Sequence, residues 1–444
     1  MTTQTIKIAN GAHAQRPNYH FKPHNVGRWL IWGGFALMLG VVPLLWTSSF
    51  AQTMLSQMGI GIIACLAYNI LLGQGGMLSF GHAVYSGLGS FLAIHTLNMM
   101  IAGDIWLPVS LVPLVGGFGG LFFAAILGYV TTKKSGTTFA MITMGIGELV
   151  WSMSLMIPEF FGGEGGITTN RVFGKPVLGI SFGPQIQVYY LIAIYCFICT
   201  AAMYALTRTP LGRMLNAVRD NPERVEFIGY STQNVRYLAF MISGFFAGIA
   251  GGLGALNFEI VTAEVVGALR SGAYLLFVFL GGATFFFGPI IGAVLMVVAL
   301  VLLSELTKAW LLYMGIVFLF MVMYAPGGVA SLIMMNVRLA AYGKLKRVWT
   351  SYLALGGSGL VALSGLAVMI EMVYHLQLNA ALGPEMEFLG ASLNARGLDS
   401  WLGALFVLGI GVAMFELSRR SFSREWGQIQ EEIEAEIKRK ESAA

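Results

Sequence analysis

The residues able to do chemistry in this 444-residue chain fall in a few places. The richest is a polar stretch at residues 207–236, TRTPLGRMLNAVRDNPERVEFIGYSTQNVR. Thr209 before Pro210 gives an N-cap followed by a first-turn proline, and Asn221 before Pro222 repeats that start. Leu211, Met214, Leu215 and Val218 recur at helical spacing and make one apolar face. Arg213, Asn216, Arg219 and Asp220 take the other, and Gly229 supplies a stop. Two short helices carrying both charge signs on one side suit docking onto another protein. An ordinary basic loop lying on a bilayer surface has the same pattern.

The remaining candidates are isolated. Glu148 is the main carboxylate within an apolar run, where an acid either couples transport to an ion gradient or pairs inside the protein. Glu305 and Lys308 share a run boundary and can pair there, while Glu371 and Glu416 lie near the ends of late runs. His82 follows a glycine-rich segment and reads as a hydrogen-bonding core residue or a path residue. Cys196 and Cys199 have redox spacing but lie, like Cys65, in apolar runs without βα context, and read as buried helix residues. His13, His20 and His24 belong to a polar tail and read as solvated. There is no GxxxxGK[ST] phosphate loop, no Ser/His/Asp set and no metal-ligand spacing. An enzyme acting alone, a resident cofactor and a metal centre are not expected.

The elements that must position these residues are membrane helices. Hydrophobic residues make up 57% of the chain and charged residues 11%, against about 25% charged in soluble domains. The net charge of +5 sits in short gaps between apolar runs, so it reads as positive-inside topology, with no nucleic-acid partner. The first 28 residues, with Arg16, Lys22 and Arg28, read as a cytoplasmic tail rather than a cleaved signal peptide. Spans are expected at residues 29–46, 54–72, 82–101, 107–130, 137–157, 188–206 and 237–256, the last rich in glycine and alanine for tight helix packing. Residues 269–306 must cross an even number of times to keep Arg338, Lys344, Lys346 and Arg347 inside. They therefore read as two short segments meeting at 281–289. Further spans follow at 310–334, 351–374 and 401–417.

The expected fold is an all-α polytopic integral membrane protein of about 10–12 transmembrane helices. Broken or re-entrant helices are expected near residues 73–81 and 281–289. The organisation reads as a tail (1–28), a transmembrane domain (29–336), an extension with two extra spans (337–418) and a charged tail (419–444). Both termini are placed in the cytoplasm. In the last tail Trp426, Ile429, Ile433 and Ile437 form one stripe, read as a solvated amphipathic helix.

Several segments in order resemble the LivM-like permease subunits of branched-chain amino acid ABC importers. LGQGGMLSFGHA at 72–83 is similar to the family's GQxSxGHA segment, and ITMGIGE at 142–148 to its TLxxxE segment. FGGEGGI at 161–167 resembles an outer GGxxGI loop. TPLGRMLNAVRDNPE at 209–223 resembles the SPxGRAxxAIRxNE loop that faces the ATPase. GGATFFFGPIIGA at 281–293 and YAPGG at 324–328 resemble GGxGTxxGPxxGA and YxPxGL. The resemblance covers about residues 56–332. It departs at Gly76 and Met77, at the three phenylalanines after Thr284, and throughout the extension.

That resemblance implies a bacterial inner-membrane assembly with a second, LivH-like permease, two cytosolic ATPases and a periplasmic solute-binding protein. It implies that Pro210, Leu211, Gly212, Arg213, Met214, Leu215, Ala217, Val218, Arg219, Asn221 and Glu223 couple to the ATPase. The apolar side chains among them would fill a groove on the ATPase, and Arg213, Arg219 and Glu223 would set register. A solute path beside Gln74, Ser79, His82, Glu148, Gly281 and Gly282 follows, carrying branched-chain or other hydrophobic amino acids, or a related urea, amide or organic acid. The competing expectation is a secondary carrier driven by an ion gradient.

Overall fold

A bilayer leaves each backbone N–H and C=O to be paired within its own segment, so long apolar runs fold as helices. The computed structural model describes residues 26–173, 181–378, 383–388 and 391–443. His13, His20 and His24 lie outside them. Helices α1 (Val26–Leu45), α2 (Ser49–Asn69), α3 (Ala83–Ala102), α4 (Val112–Thr131) and α5 (Gly136–Met156) follow in order. After the single turn α6 (Pro158–Phe161) come α7 (Gln185–Arg208), the short α8 (Pro210–Asp220) and α9 (Pro222–Phe227), and α10 (Thr232–Phe258). Then follow α11 (Ala268–Gly281), α12 (Gly288–Val298), the short α13 (Ser304–Leu306), α14 (Trp310–Tyr324) and α15 (Gly328–Ala341). Two long helices, α16 (Leu345–Leu378) and α17 (Leu398–Ala443), end the chain.

Among the described residues nine helices are long and apolar enough to cross a membrane, and α14 with α15, bent by 49°, makes a tenth span. Shorter apolar helices at Trp29–Leu45 and Ala268–Gly281 complete the set. The expected all-α membrane fold is the observed one, including both breaks. The chain leaves α2 through a π-helical turn, Ile70–Gln74, and runs without regular structure to α3. The second break separates α11 from α12. Among the described residues strand structure is confined to two small antiparallel ladders: β1 (Ile167–Thr168) with β2 (Ile260–Val261), and β3 (Glu385–Phe388) with β4 (Ala391–Asn394).

The centre is built on small residues. About 72% of the apolar stretch is buried in both α2 and α10, against 17% in α16 and 11% in α17, so the first pair is interior and the last pair peripheral. Where α10 crosses α3 and α4, backbones nearly touch. A methyl group on Gly251 would lie 1.8 Å from the Ser86 carbonyl oxygen, and one on Gly248 2.2 Å from that of Gly116. Ser90 Oγ donates to Gly251 O at 2.9 Å, and Ser243 Oγ donates to Ala67 O at 2.6 Å. Glycine lets these helices approach closely enough for such bonds, which replace the hydrophobic drive that is lost inside a bilayer.

The charged tail corrects the sequence reading. It is not a separate solvated helix, because α17 runs unbroken from Leu398 to Ala443. Its Ile429 and Ile433 are fully buried against Leu339 of α15 and Val348 of α16, with Trp426 and Ile437 packed beside them. Glu432 pairs with Lys344 and, at 3.1 Å, with Arg347, and Ser351 donates to Glu425. The stripe is amphipathic because one of its faces belongs to this chain's own satellite core.

Candidate coupling and translocation site

The 207–236 segment folds as its caps dictate. Thr209 Oγ1 accepts from Gly212 N at 3.2 Å and Asn221 Oδ1 accepts from Arg224 N at 3.1 Å, each with proline at the first helical position. Gly229, at φ +87°, turns the chain after α9.

The apolar face of α8 points inward. Leu215 and Val218 are 2% and 1% exposed and belong to the main core, with Leu211, Met214 and Ala217 packed against it. Gly212 is buried so closely that a side chain there would strike Leu206 O at 2.3 Å. The expectation that this face fills a groove on a partner is therefore replaced: the groove lies in this chain. Pro210, Arg213 and Glu223 are exposed, and Asn221 is half-buried. Beyond them Phe227 is 87% exposed, with Ile228 and Tyr230 also exposed. These three went unread in the sequence, although large apolar residues at the end of a polar loop are a signal of their own.

Arg219 joins this segment to the first break. Its Nη1 donates to the carbonyl oxygen of Gly73 at 2.5 Å, and its Nε to Asp220 at 2.9 Å. Its stem covers Gly76, where a methyl group would lie 2.7 Å from Arg219 Cγ; Gly76 itself has φ +62°. The first break in turn touches the second, since a side chain on Gly73 would meet Ala283 O at 2.2 Å. Gly282, at φ +111°, lies against Gly327 and Gly328 at the start of α15. One line of contacts, the Arg219 side chain first and backbone against backbone after it, thus runs from α8 through both breaks to the bend between α14 and α15.

The residues between the first break and α3 are held from three sides. Tyr68 Oη of α2 donates to Ser79 O at 2.9 Å. Thr143 Oγ1 of α5 accepts from Phe80 N at 3.1 Å, and Ser271 Oγ of α11 accepts from Ala83 N at 3.1 Å. Gly81 sits directly on α5, with room for no side chain against Thr143 O. His82 is fully buried among the rings of Tyr68, Tyr85 and Tyr274, with centroids 5.1–6.3 Å away.

Of the proposed path residues, Gln74, Ser79, His82, Gly281 and Gly282 therefore share one region around the touching breaks. Glu148 does not join them. It follows Gly147, which packs near Gly81, but its own side chain is exposed on the outer face of α5. Among the described residues no three His, Cys, Asp or Glu side chains are placed to hold a metal ion.

At the far end of α10 stands a second polar cluster that the sequence did not announce. Arg171 is 8% exposed. Its Nη1 donates to Leu256 O and Asn257 O, both at 3.1 Å, and its Nε to Phe182 O at 2.8 Å. Arg171 N donates to Glu259 Oε1 at 2.8 Å. The guanidinium thus satisfies the last carbonyls of α10, where a positive charge also suits the helix dipole. Ser231 caps the other end of the same helix by accepting from Asn234 N.

A family model described as branched-chain amino acid transport system / permease component matches residues 50–326. The high-affinity branched-chain amino acid transport system permease protein LivM of Salmonella typhimurium is 27% identical over 294 residues, covering 62% of this chain and 68% of that protein. LivM of Escherichia coli is 26% identical with the same coverage. The nucleoside ABC transporter permease protein NupC of Lactococcus lactis subsp. cremoris is 24% identical over 213 residues, 43% of this chain and 63% of that one. No solved structure gives a significant match. The hairpin of α16 and α17 lies beyond the matched residues. With well over half its length matched, and both breaks and the capped pair α8–α9 inside the match, the chain belongs to the branched-chain amino acid transport permease family.

Proposed function

We propose that this chain is the membrane-spanning permease subunit of an ATP-driven importer for branched-chain or other hydrophobic amino acids in a bacterial inner membrane. It works by alternating access, with both termini in the cytoplasm. Its partners are a second homologous permease, two cytosolic ATPase subunits and a periplasmic solute-binding protein. The energy enters at α8 and α9. Their outward side offers Arg213, Glu223, Phe227, Ile228 and Tyr230 to the ATPase, mixing charge for register with apolar anchors for affinity.

The observation that carries this reading is the bond from Arg219 to Gly73. It ties a surface helix to a break in an interior span, so a displacement of the first reaches the second through one charged hydrogen bond. Helix breaks at membrane depth lie where a path or a moving element needs them. Glu148 on the outer face of α5 suits the seam with the second permease. The relationship to a nucleoside permease keeps the solute class open to other small molecules, since a separate binding protein does the selecting.

Reconstitution tests the reading. With the paired permease, ATPases and binding protein, vesicles should take up leucine, isoleucine or valine only when ATP is supplied on the ATPase side. Uphill uptake by this chain alone on a proton gradient would establish the secondary-carrier alternative instead.

A further inference from the structure

Four buried polar atoms around the first break have no hydrogen-bond partner: Asn69 Oδ1, Ser79 Oγ, and both ring nitrogens of His82. Buried polar groups are almost always paired, and an orphan marks a bound water, a ligand or a second conformation. Three of these orphans, on Ser79 and His82, lie on one segment without regular structure, and the fourth belongs to Asn69 at the end of α2. That segment is fixed by single bonds from three different helices: Tyr68 Oη to Ser79 O, Phe80 N to Thr143 Oγ1, and Ala83 N to Ser271 Oγ. At one end Arg219 grips Gly73. At the other, Gly81 rests on the backbone of α5.

We infer that residues 79–82 form a gate latched by Thr143, and that unlatching turns Ser79 and His82 toward the solute path. The inference rests on the permease reading and deepens it by naming the moving residues. Thr143 Oγ1 already donates to Ala140 O at 2.8 Å within its own helix, so its spare lone pair is what receives Phe80 N. Much of α5 is exposed, including Met141, Met144, Gly145, Glu148 and Leu149; Phe139, edge-on to Phe240, and Val150 tie it to the core on either side of Thr143, so a shift of the helix is a tilt about those contacts. A shift of α5 removes both the Thr143 bond and the surface under Gly81. Arg219 supplies the pull from α8. Ser79 and His82 then gain a hydroxyl and an imidazole's worth of partners from water or from the ammonium and carboxylate of a passing amino acid. Thr143 is a positioning residue in this scheme; Ser79 and His82 are the groups it hides.

Cysteine labelling in the assembled complex tests this. Ser79→Cys is made in a chain whose Cys65, Cys196 and Cys199 are alanine, and is exposed to N-ethylmaleimide without nucleotide, with ATP, and with ATP and vanadate. Because labelling follows the open population, the rate should differ about tenfold between nucleotide states. Adding Thr143→Val should raise the resting rate to that of the open state, and Thr143→Ser should restore protection. Ser271→Ala provides a second unlatching variant where Thr143→Val assembles poorly. Equal labelling of Ser79→Cys in every nucleotide state, or a Thr143→Val complex as protected as its parent, overturns the gate; bound water would then be what satisfies His82. A complex that imports leucine with ATP yet shows constant labelling sinks this inference alone. Failure of any ATPase to assemble with the chain removes the permease reading and the gate with it.

Discussion

Arg219 on α8 donates to the carbonyl oxygen of Gly73, 146 residues away in sequence, at 2.5 Å. Gly73 stands in the π-helical turn that ends α2, so its carbonyl is one of those a regular helix would have paired itself. The irregular turn frees an acceptor and the arginine takes it.

Replacing Arg219 with Gln should leave the subunit folded but cut uptake per ATP hydrolysed. Losing a hydrogen bond to a charged group costs about 1.5–3 kcal/mol, or roughly 10- to 100-fold in an equilibrium. The measurement is the ratio of leucine uptake to phosphate release in proteoliposomes. An unchanged ratio would show that the bond does not transmit work.

Leu215 and Phe227 should separate stability from docking. Leu215→Ala removes a buried core side chain and should lower stability by about 2–5 kcal/mol, visible as a lower aggregation temperature in detergent. Phe227→Ala touches no core and should keep that temperature while weakening copurification of the ATPase at least fivefold, as removal of an interface anchor does. The reverse pattern would return the apolar face of α8 to the docking surface.

Glu148→Gln should leave uptake driven by ATP and indifferent to a protonophore, because the side chain is exposed on α5 rather than buried with the polar groups of the first break. Uptake that collapses with the proton gradient at constant ATP, and does so only with Glu148 present, would assign it a coupling role.

Gly251→Ala should abolish or greatly reduce folded protein, since its new methyl group would overlap the Ser86 carbonyl and overpacking costs about 1–3 kcal/mol even where side chains can yield. Gly254, with open space beside it, should accept alanine without loss. Yield after size-exclusion chromatography compares the two.

Ile433→Asp should free the end of α17, seen as faster trypsin cleavage beyond Lys346 at Arg424 or Lys438. An equally resistant variant would mean that the satellite core of Leu339, Val348, Ile429 and Ile433 does not hold the helix.

Local structure was legible in the sequence wherever its cause is local. The caps at Thr209 and Asn221 act on groups three residues away, and both glycine breaks interrupt apolar runs in plain view. What periodicity cannot give is the neighbour. A stripe such as Leu211–Met214–Leu215–Val218, or Trp426–Ile429–Ile433, looks the same whether it meets another subunit or the chain's own core, because both remove the same surface from water. Arg171 and Thr143 were invisible for a related reason: their bonds close loops of about 85 and 63 residues, and no short window contains both ends. Phe227 and Ile228 were in plain sight but carried no periodic signal.

The two capped ends of α10 have a mechanical meaning. A helix of 27 residues is about 40 Å long, a strut spanning the membrane with Ser231 fastened beside α9 and its last carbonyls bolted to Arg171. Such a strut slides or tilts as a whole; it does not absorb displacement along its length. Force applied at one aqueous surface is therefore delivered at the other, and the conversation runs both ways, because linkage between two sites is reciprocal.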